Sequence, residues 1–321
     1  MTKHIIILIV TFYAHILSAQ TLSSSNPFFG LKDGKYLPEI LLPGIVSTNA
    51  METNGSFSPD GTMFLYTIEW LRAGGTIVYL QLIDGSWTSP EIAPFSGEYP
   101  DIDPIFSPDG RRIYFTSRKP IDEIRRDRND TNLWFVEVHE NGFSVPMPVG
   151  STINTEENQY YNSISRDGSI FFHSLNEESN SNDIFQAIWE GDDYIVTLLD
   201  STINGPYSDT DPFISPDEDY IIFTSNRPGG YGSNDLYISF YQNDKWSKPV
   251  NLGDGINTSS SEYAPCVSSG ILTYTSNRMI EEWNTSHKVN YKTLMEKING
   301  SDNQLNNIWF VNFDIKTINQ K

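Results

Sequence analysis

The stretch Phe57-Ser58-Pro59-Asp60-Gly61 decides the fold, because it returns along the chain at a nearly constant interval. The later copies are Phe106 to Gly110, Ile164 to Gly168, Ile214 to Glu218 and, in degraded form, Val267 to Gly270. Successive repeat serines lie 49, 58, 50 and 53 residues apart. A period of this length is typical of propellers and solenoids.

Each repeat has the same internal order of strand signals. An apolar run leads into the Ser-Pro-Asp-Gly turn, and a β-branched and aromatic strand such as Ile113–Thr116 follows it. A third strand opens with a polar, an aliphatic and an aromatic residue, as in Asp235-Leu236-Tyr237. A fourth carries an aromatic residue shortly before a proline, as in Trp87-Thr88-Ser89-Pro90. Four antiparallel strands in each repeat predict a propeller blade.

The last repeat ends without a fourth strand, and the start of the chain supplies a candidate for it. The segment Tyr36 to Pro43 matches Trp87 to Pro94. We therefore predict an all-β fold, a single β-propeller of five four-stranded blades, closed by an N-terminal strand that completes the last blade. Such closure removes an exposed sheet edge. Six blades remain an alternative, and the predicted propeller domain covers residues 35–321.

Several motif elements recur in register and resemble the TolB-type β-propeller repeat of bacterial envelope proteins. The resemblance is clearest in Asp211 to Asp217, Phe223 to Gly232 and Asp235 to Ile238. It covers about residues 30–321 and implies a propeller fold. For function it implies a range of roles, from accessory proteins of envelope complexes to propellers joined to peptidoglycan-binding or peptidase domains.

The first residues have the form of a secretory signal peptide. A basic start is followed by the apolar run Ile5 to Leu17 and by small residues ending at Ala19. We expect a signal peptide at residues 1–19, an N-terminal extension at 20–34 and export to the periplasm or the extracellular space. The apolar run is shorter than the ~20 residues of a spanning helix, and no later segment is apolar enough to span.

Charge excludes some partners. The chain holds 41 Asp and Glu against 21 Lys and Arg, a net charge of −20, which disfavours nucleic acid and anionic membrane surfaces. The single cysteine, Cys266, allows no internal disulfide. We expect a monomer.

Polar residues recur at one position, six residues before each repeat serine. These strand-start residues are Glu52, Asp101, Gln159, Asp209 and Glu262. Asp103 and Asp211 follow two residues later, on the same side of a regular strand. The arrangement predicts an acidic mouth on the upper face, meaning the face that carries the loops from strand two to three and from strand four to the next blade.

Two interpretations of this acidic mouth stay open. Converging carboxylates suit a basic or polyhydroxylated ligand, and calcium is possible. Alternatively, the acids accept backbone N–H bonds or pair with cations at the end of strand two in a neighbouring blade. The candidate ligand face comprises Glu52, Asp101, Asp103, Asp209, Asp211, Glu262, Arg118, Arg227 and Arg278.

The chain carries no Gly-x-Ser-x-Gly elbow and no histidine pair at zinc-ligand spacing, so we assign no catalytic residue, metal ligand or cofactor. The leading hypothesis is an exported, non-catalytic propeller that binds a protein or glycan of the bacterial cell envelope. The alternative is a carbohydrate-active enzyme, a glycoside hydrolase or lyase, that uses paired carboxylates at the channel mouth.

Overall fold

The computed structural model describes residues 25–31, 37–70, 74–122, 130–279, 290–301 and 303–318. The predicted signal peptide lies outside these residues. A 3-10 turn, Pro27–Gly30, and a short strand β1 (Glu39–Ile40) precede the first repeat. Phe28 and Phe29, within the predicted N-terminal extension, are buried against Phe57.

The described residues form five antiparallel sheets, which confirms the five-bladed propeller. Blade 1 contains β2 (Met51–Phe57), β3 (Met63–Trp70), β4 (Gly74–Ile83), β5 (Ser86–Trp87) and β6 (Glu91–Ile92). Blade 2 contains β7 (Asp101–Phe106), β8 (Arg112–Ser117), β9 (Asn132–His139), β10 (Gly142–Phe143) and β11 (Met147–Pro148). Blade 3 contains β12 (Gln159–Ile164), β13 (Ile170–Asn176), β14 (Ser181–Glu190) and β15 (Asp193–Leu198).

Blades 4 and 5 continue the pattern. Blade 4 contains β16 (Asp209–Ile214), β17 (Tyr220–Ser225), β18 (Asp235–Gln242), β19 (Lys245–Trp246) and β20 (Val250–Asn251). Blade 5 contains β21 (Glu262–Ser268), β22 (Ile271–Ser276) and β23 (Asn307–Asn312). Helices α1 (Tyr291–Ile298) and α2 (Ile315–Ile318) lie before and after β23.

The N-terminal strand completes blade 5, as predicted. β1 pairs antiparallel with β23, with Glu39 opposite Phe310 and Ile40 opposite Trp309. Leu41, next in the chain, is fully buried, and its N–H donates to the carbonyl of Ile308 at 2.8 Å. The two ends of the domain are therefore joined by backbone bonds and by a buried apolar side chain.

The Ser-Pro-Asp-Gly turns connect strands one and two on the lower face. In the first copy the Ser58 hydroxyl donates to Asp60 at 2.6 Å and accepts from the Met63 N–H at 2.9 Å. Gly61 adopts φ 73°, in the left-handed region where glycine carries no steric penalty. The motif therefore recurs because each turn needs its own side-chain acceptors and a left-handed residue.

Candidate functional site

The five strand-start residues lie at the upper end of the innermost strands, and all are buried. The Asp209 carboxylate accepts from the Arg227 guanidinium at 2.6 Å and from the Gly205 N–H at 2.8 Å. The Arg227 guanidinium also lies over the rings of Phe223 and Tyr237. This acid is held by partners in its own blade and by the loop that precedes it.

The same arrangement recurs in blade 5. The Glu262 carboxylate accepts from the Thr258 N–H at 2.8 Å and from the Ser276 hydroxyl at 2.7 Å, and Arg278 lies 3.4 Å away. Each arginine therefore belongs to the same blade as its acid. The interpretation that these acids pair with cations of a neighbouring blade is wrong. The reason is sheet register, which sets Asp209 opposite Ser225 and Glu262 opposite Ser276.

The other blades replace the ion pair with other polar contacts. Asp101 accepts from the hydroxyls of Ser117 at 2.6 Å and Ser96 at 2.8 Å, and burial raises its pKa. Glu52 accepts from the Thr48 hydroxyl, and burial raises its pKa as well. Gln159 donates to the Thr155 hydroxyl and to the carbonyl of Glu157.

The residue two positions after the strand-two serine that lies opposite the strand-start residue differs between blades 3, 4 and 5. Asp209 and Glu262 are matched with Arg227 and Arg278, whereas the neutral Gln159 is matched with Asn176. In blades 4 and 5 the charge of the strand-start acid is therefore balanced within the blade, which indicates a structural role for Asp209 and Glu262. The fixed offset from strand two is the signal in the sequence that identifies the partners. Arg118, at the end of β8, is half-buried.

Asp103 and Asp211 are separated from the strand-start residues by a β-bulge in each innermost strand. The residues at these bulges take φ values between 35° and 58°. They are Asn54, Asp103, Tyr161, Asp211 and Ala264. A bulge breaks the two-residue period of a strand. The prediction that Asp103 and Asp211 lie on the same side as Asp101 and Asp209 is therefore wrong. The hydrogen bonds show the difference: Asp101 bonds to Ser117 of its own blade, whereas Asp103 bonds to the blades on both sides.

The bulge residues form a ring of hydrogen bonds from blade to blade around the channel. Each N–H donates to a side chain of the preceding blade at 3.1 to 3.3 Å. The donor and acceptor pairs are Asn54 with Thr275, Asp103 with Thr67, Tyr161 with Asp103, Asp211 with His173, and Ala264 with Asp211. Asp103 and Asp211 thereby each link adjacent blades.

Burial in the channel shifts the pKa values of Asp103, Asp211 and His173 in the direction that favours the uncharged form. Burial raises the pKa of Asp103 to about 8, with a further contribution from Asp211, and burial raises the pKa of Asp211 to about 6. Burial lowers the pKa of His173 to about 3, and its Nδ1 accepts the Asp211 N–H, so the ring is neutral. These groups favour their uncharged forms because they lie away from solvent.

Among the described residues, no group of three or more His, Cys, Asp or Glu side chains is arranged to hold a metal ion. Both Asp103 oxygens already accept hydrogen bonds, from the Asn54 side chain at 2.5 Å and from the Tyr161 N–H at 3.2 Å. A calcium ion would have to displace these donors.

Cavities lined by described residues open on the lower side. A groove of about 680 Å³ between blades 2 and 3 is lined by Arg111, Arg112 and Arg166, each of which has an acid within 4 Å. A smaller cavity of about 190 Å³ lies at the lower mouth of the channel and includes Cys266. Burial raises the pKa of the Cys266 thiol to about 11, which favours the protonated form of the thiol.

Comparisons with known proteins give similarity to propeller structures alone. No family model matches the chain. No curated protein matches it either. Similar solved structures include a putative TolB from Agrobacterium tumefaciens (TM-score 0.49, 20% identity, 71% of this chain and 70% of that one) and TolB from Acinetobacter baumannii (0.43, 15%, 82% and 54%). A Hadza microbial sialidase is similar at TM-score 0.42 and 12% identity, over 74% of this chain and 53% of that one. None of these similarities carries an argument about the function of this chain.

Proposed function

We propose that the chain is an exported, non-catalytic β-propeller that binds a protein or glycan ligand of the bacterial cell envelope through its acidic upper face. The supporting observation is how the polar atoms are used. The strand-start residues bond to their own blades, and the bulge residues bond between blades. Because those polar atoms are used within the propeller, the side chains of the upper loops are the ones that contact a ligand.

The described upper loops over blades 3 and 4 present negative charge. Glu177, Glu178 and Asp254 are exposed on them. Arg227 and Arg278, which follow strand two in blades 4 and 5, have side chains only 15% and 11% exposed and lie against Asp209 and Glu262. The accessible charge over these two blades is therefore acidic, which favours a cationic protein surface or a glycan rich in hydroxyl groups. No described helix is long and apolar enough to cross a membrane.

Cross-linking in the native envelope tests this proposal. A photoreactive side chain at Glu178, on the upper face, should yield a defined adduct whose amount falls as salt concentration rises. The matched control is a photoreactive side chain at Glu140, which is exposed in the lower hairpin between β9 and β10. Equal adducts from both positions, or an adduct from Glu140 alone, would contradict an upper-face ligand.

The alternative, glycoside hydrolysis, would need an accessible acid and base beside the scissile bond. Asp211 contributes to the raised pKa of Asp103, but Asp103 is only 8% exposed and both its oxygens accept hydrogen bonds. Turnover of an envelope polysaccharide by the purified protein, lost in a folded Asp211→Asn variant, would overturn the non-catalytic proposal.

A further inference from the structure

The outer edge of blade 3 differs from that of the other four blades. In blades 1, 2 and 4 the outermost strand is split into two-residue pieces, and Pro90, Pro146 and Pro249 lie between those pieces. In blade 5 it is the two-residue β1, which follows Pro38. In blade 3 it is β15, a continuous strand of six residues without proline. Proline and short length are common ways to protect a sheet edge from further pairing, and β15 has neither.

The backbone of β15 presents hydrogen-bonding groups outward. The Leu199 N–H donates to the Ile184 carbonyl at 3.0 Å, so alternate residues 197, 195 and 193 bond inward to β14. The N–H groups of Tyr194, Val196 and Leu198 therefore point away from the blade. Tyr194 donates to its neighbour Asp193 at 2.8 Å. Val196 and Leu198 offer their outward N–H and C=O groups to an added strand.

Two apolar side chains along this edge are exposed. Ile195 is 49% exposed and Leu198 is 44% exposed. Ile188, opposite Ile195 on β14, is 41% exposed and pairs with it on one face of the blade, whereas Leu198 lies on the other face. Edge strands with free backbone groups and apolar side chains bind extended segments by strand addition.

Charge at the two ends of the edge selects the occupant. Asp192 and Asp193 are exposed at the start of β15, and Asp200 is exposed just beyond its end. Antiparallel pairing with a second copy of the chain, centred on Val196, would set Asp192 of one copy opposite Asp200 of the other at both ends. Like charges opposed across a strand pair are destabilising. The complementary occupant has β-branched residues at its centre and basic residues at its ends.

We propose that β15 is a docking edge to which an extended segment of a partner protein, apolar at its centre and basic at its ends, adds as a fifth strand of blade 3. This site is independent of the upper face. The added strand accepts from and donates to Val196 and Leu198 and covers Ile195 and Leu198.

A synthetic peptide tests the proposal with the full chain. The probe is the labelled peptide Lys-Thr-Val-Thr-Ile-Thr-Lys, and its binding is measured by fluorescence anisotropy. Substituting Val196→Pro removes an outward N–H that blade 3 does not use, so the variant should stay folded, with a lower melting temperature because the Val196 side chain packs against the apolar core. It should bind the probe about tenfold more weakly, because it loses backbone bonding and strand continuity. The control Val196→Thr keeps the N–H and should bind within about twofold.

Two further measurements complete the test. The same peptide with glutamate at both ends should bind at least about tenfold more weakly, and amide exchange at Val196 and Leu198 should slow when the basic peptide is added. Equal binding by Val196→Pro, or by the glutamate peptide, would overturn the proposal. So would a concentration-dependent dimer of the free protein that Val196→Pro dissolves, because the occupant would then be a second copy.

Discussion

Substituting Asp209→Asn measures what a strand-start acid contributes to the fold. The change keeps the shape of the side chain and removes the charge that faces the Arg227 guanidinium at 2.6 Å. Removing one partner of a buried ion pair costs about 3–5 kcal/mol of unfolding free energy. We expect the lower end, about 3 kcal/mol, because Arg227 keeps its bonds to the Ile203 carbonyl and the Ser225 hydroxyl.

This loss should lower the melting temperature by about 5–10 °C in differential scanning calorimetry, given the usual scaling for domains of this size. The double variant Asp209→Asn with Arg227→Met should lose less than the sum of the two single changes, since neither charge is then left unpaired. The control is Asp254→Asn, an exposed acid on the same face, which should shift stability by less than about 0.5 kcal/mol. An Asp209→Asn protein that melts with the wild type would refute the structural role of the acid.

Three further predictions concern the channel and the closure. Burial raises the pKa of Asp103 above its ordinary value of 3.8 to about 8, so the folded chain holds more protons than the unfolded chain within that window. Stability should fall as the pH rises from 4 to 8, and melting curves of Asp103→Asn should show a flatter pH dependence; an unchanged slope would contradict this. The Tyr161 hydroxyl donates to the Pro265 carbonyl at 2.6 Å, so Tyr161→Phe should cost about 1–2 kcal/mol in denaturant unfolding, and no loss would show that this bond is unimportant. Leu41→Ala should cost about 2–5 kcal/mol at the closure, whereas Leu37→Ala, at a side chain 76% exposed, should be nearly neutral; equal costs would argue against the closure.

Much of the fold follows from the repeat itself. The interval of the turn motif predicts the blades, and the match between Tyr36–Pro43 and Trp87–Pro94 predicts the closing strand that pairs with Phe310 and Trp309. Both are local patterns that recur, and each copy supports the interpretation of the others.

The channel could not be predicted in the same way, because the bulge has no consistent sequence signal. Asn54, Asp103 and Asp211 are residue types that tolerate the left-handed region, but Tyr161 and Ala264 are not, and interblade packing imposes the conformation on them. The burial of Phe28 and Phe29 likewise depends on tertiary contacts outside the repeat. The open edge of blade 3 does have a signal, the lack of a proline after β14, which becomes informative only when the other blades are compared with it.

We propose that the repeated polar residues hold the blades together and that the loop acids bind the ligand. The most direct measurement compares two variants for affinity toward the partner captured from Glu178. Neutralising the loops with Glu177→Gln, Glu178→Gln and Asp254→Asn should weaken binding at least about fivefold without changing the melting temperature. Asp209→Asn should lower the melting temperature and leave the affinity of the folded protein unchanged. The reverse result, binding lost with Asp209→Asn at full stability and retained in the loop variant, would contradict the account.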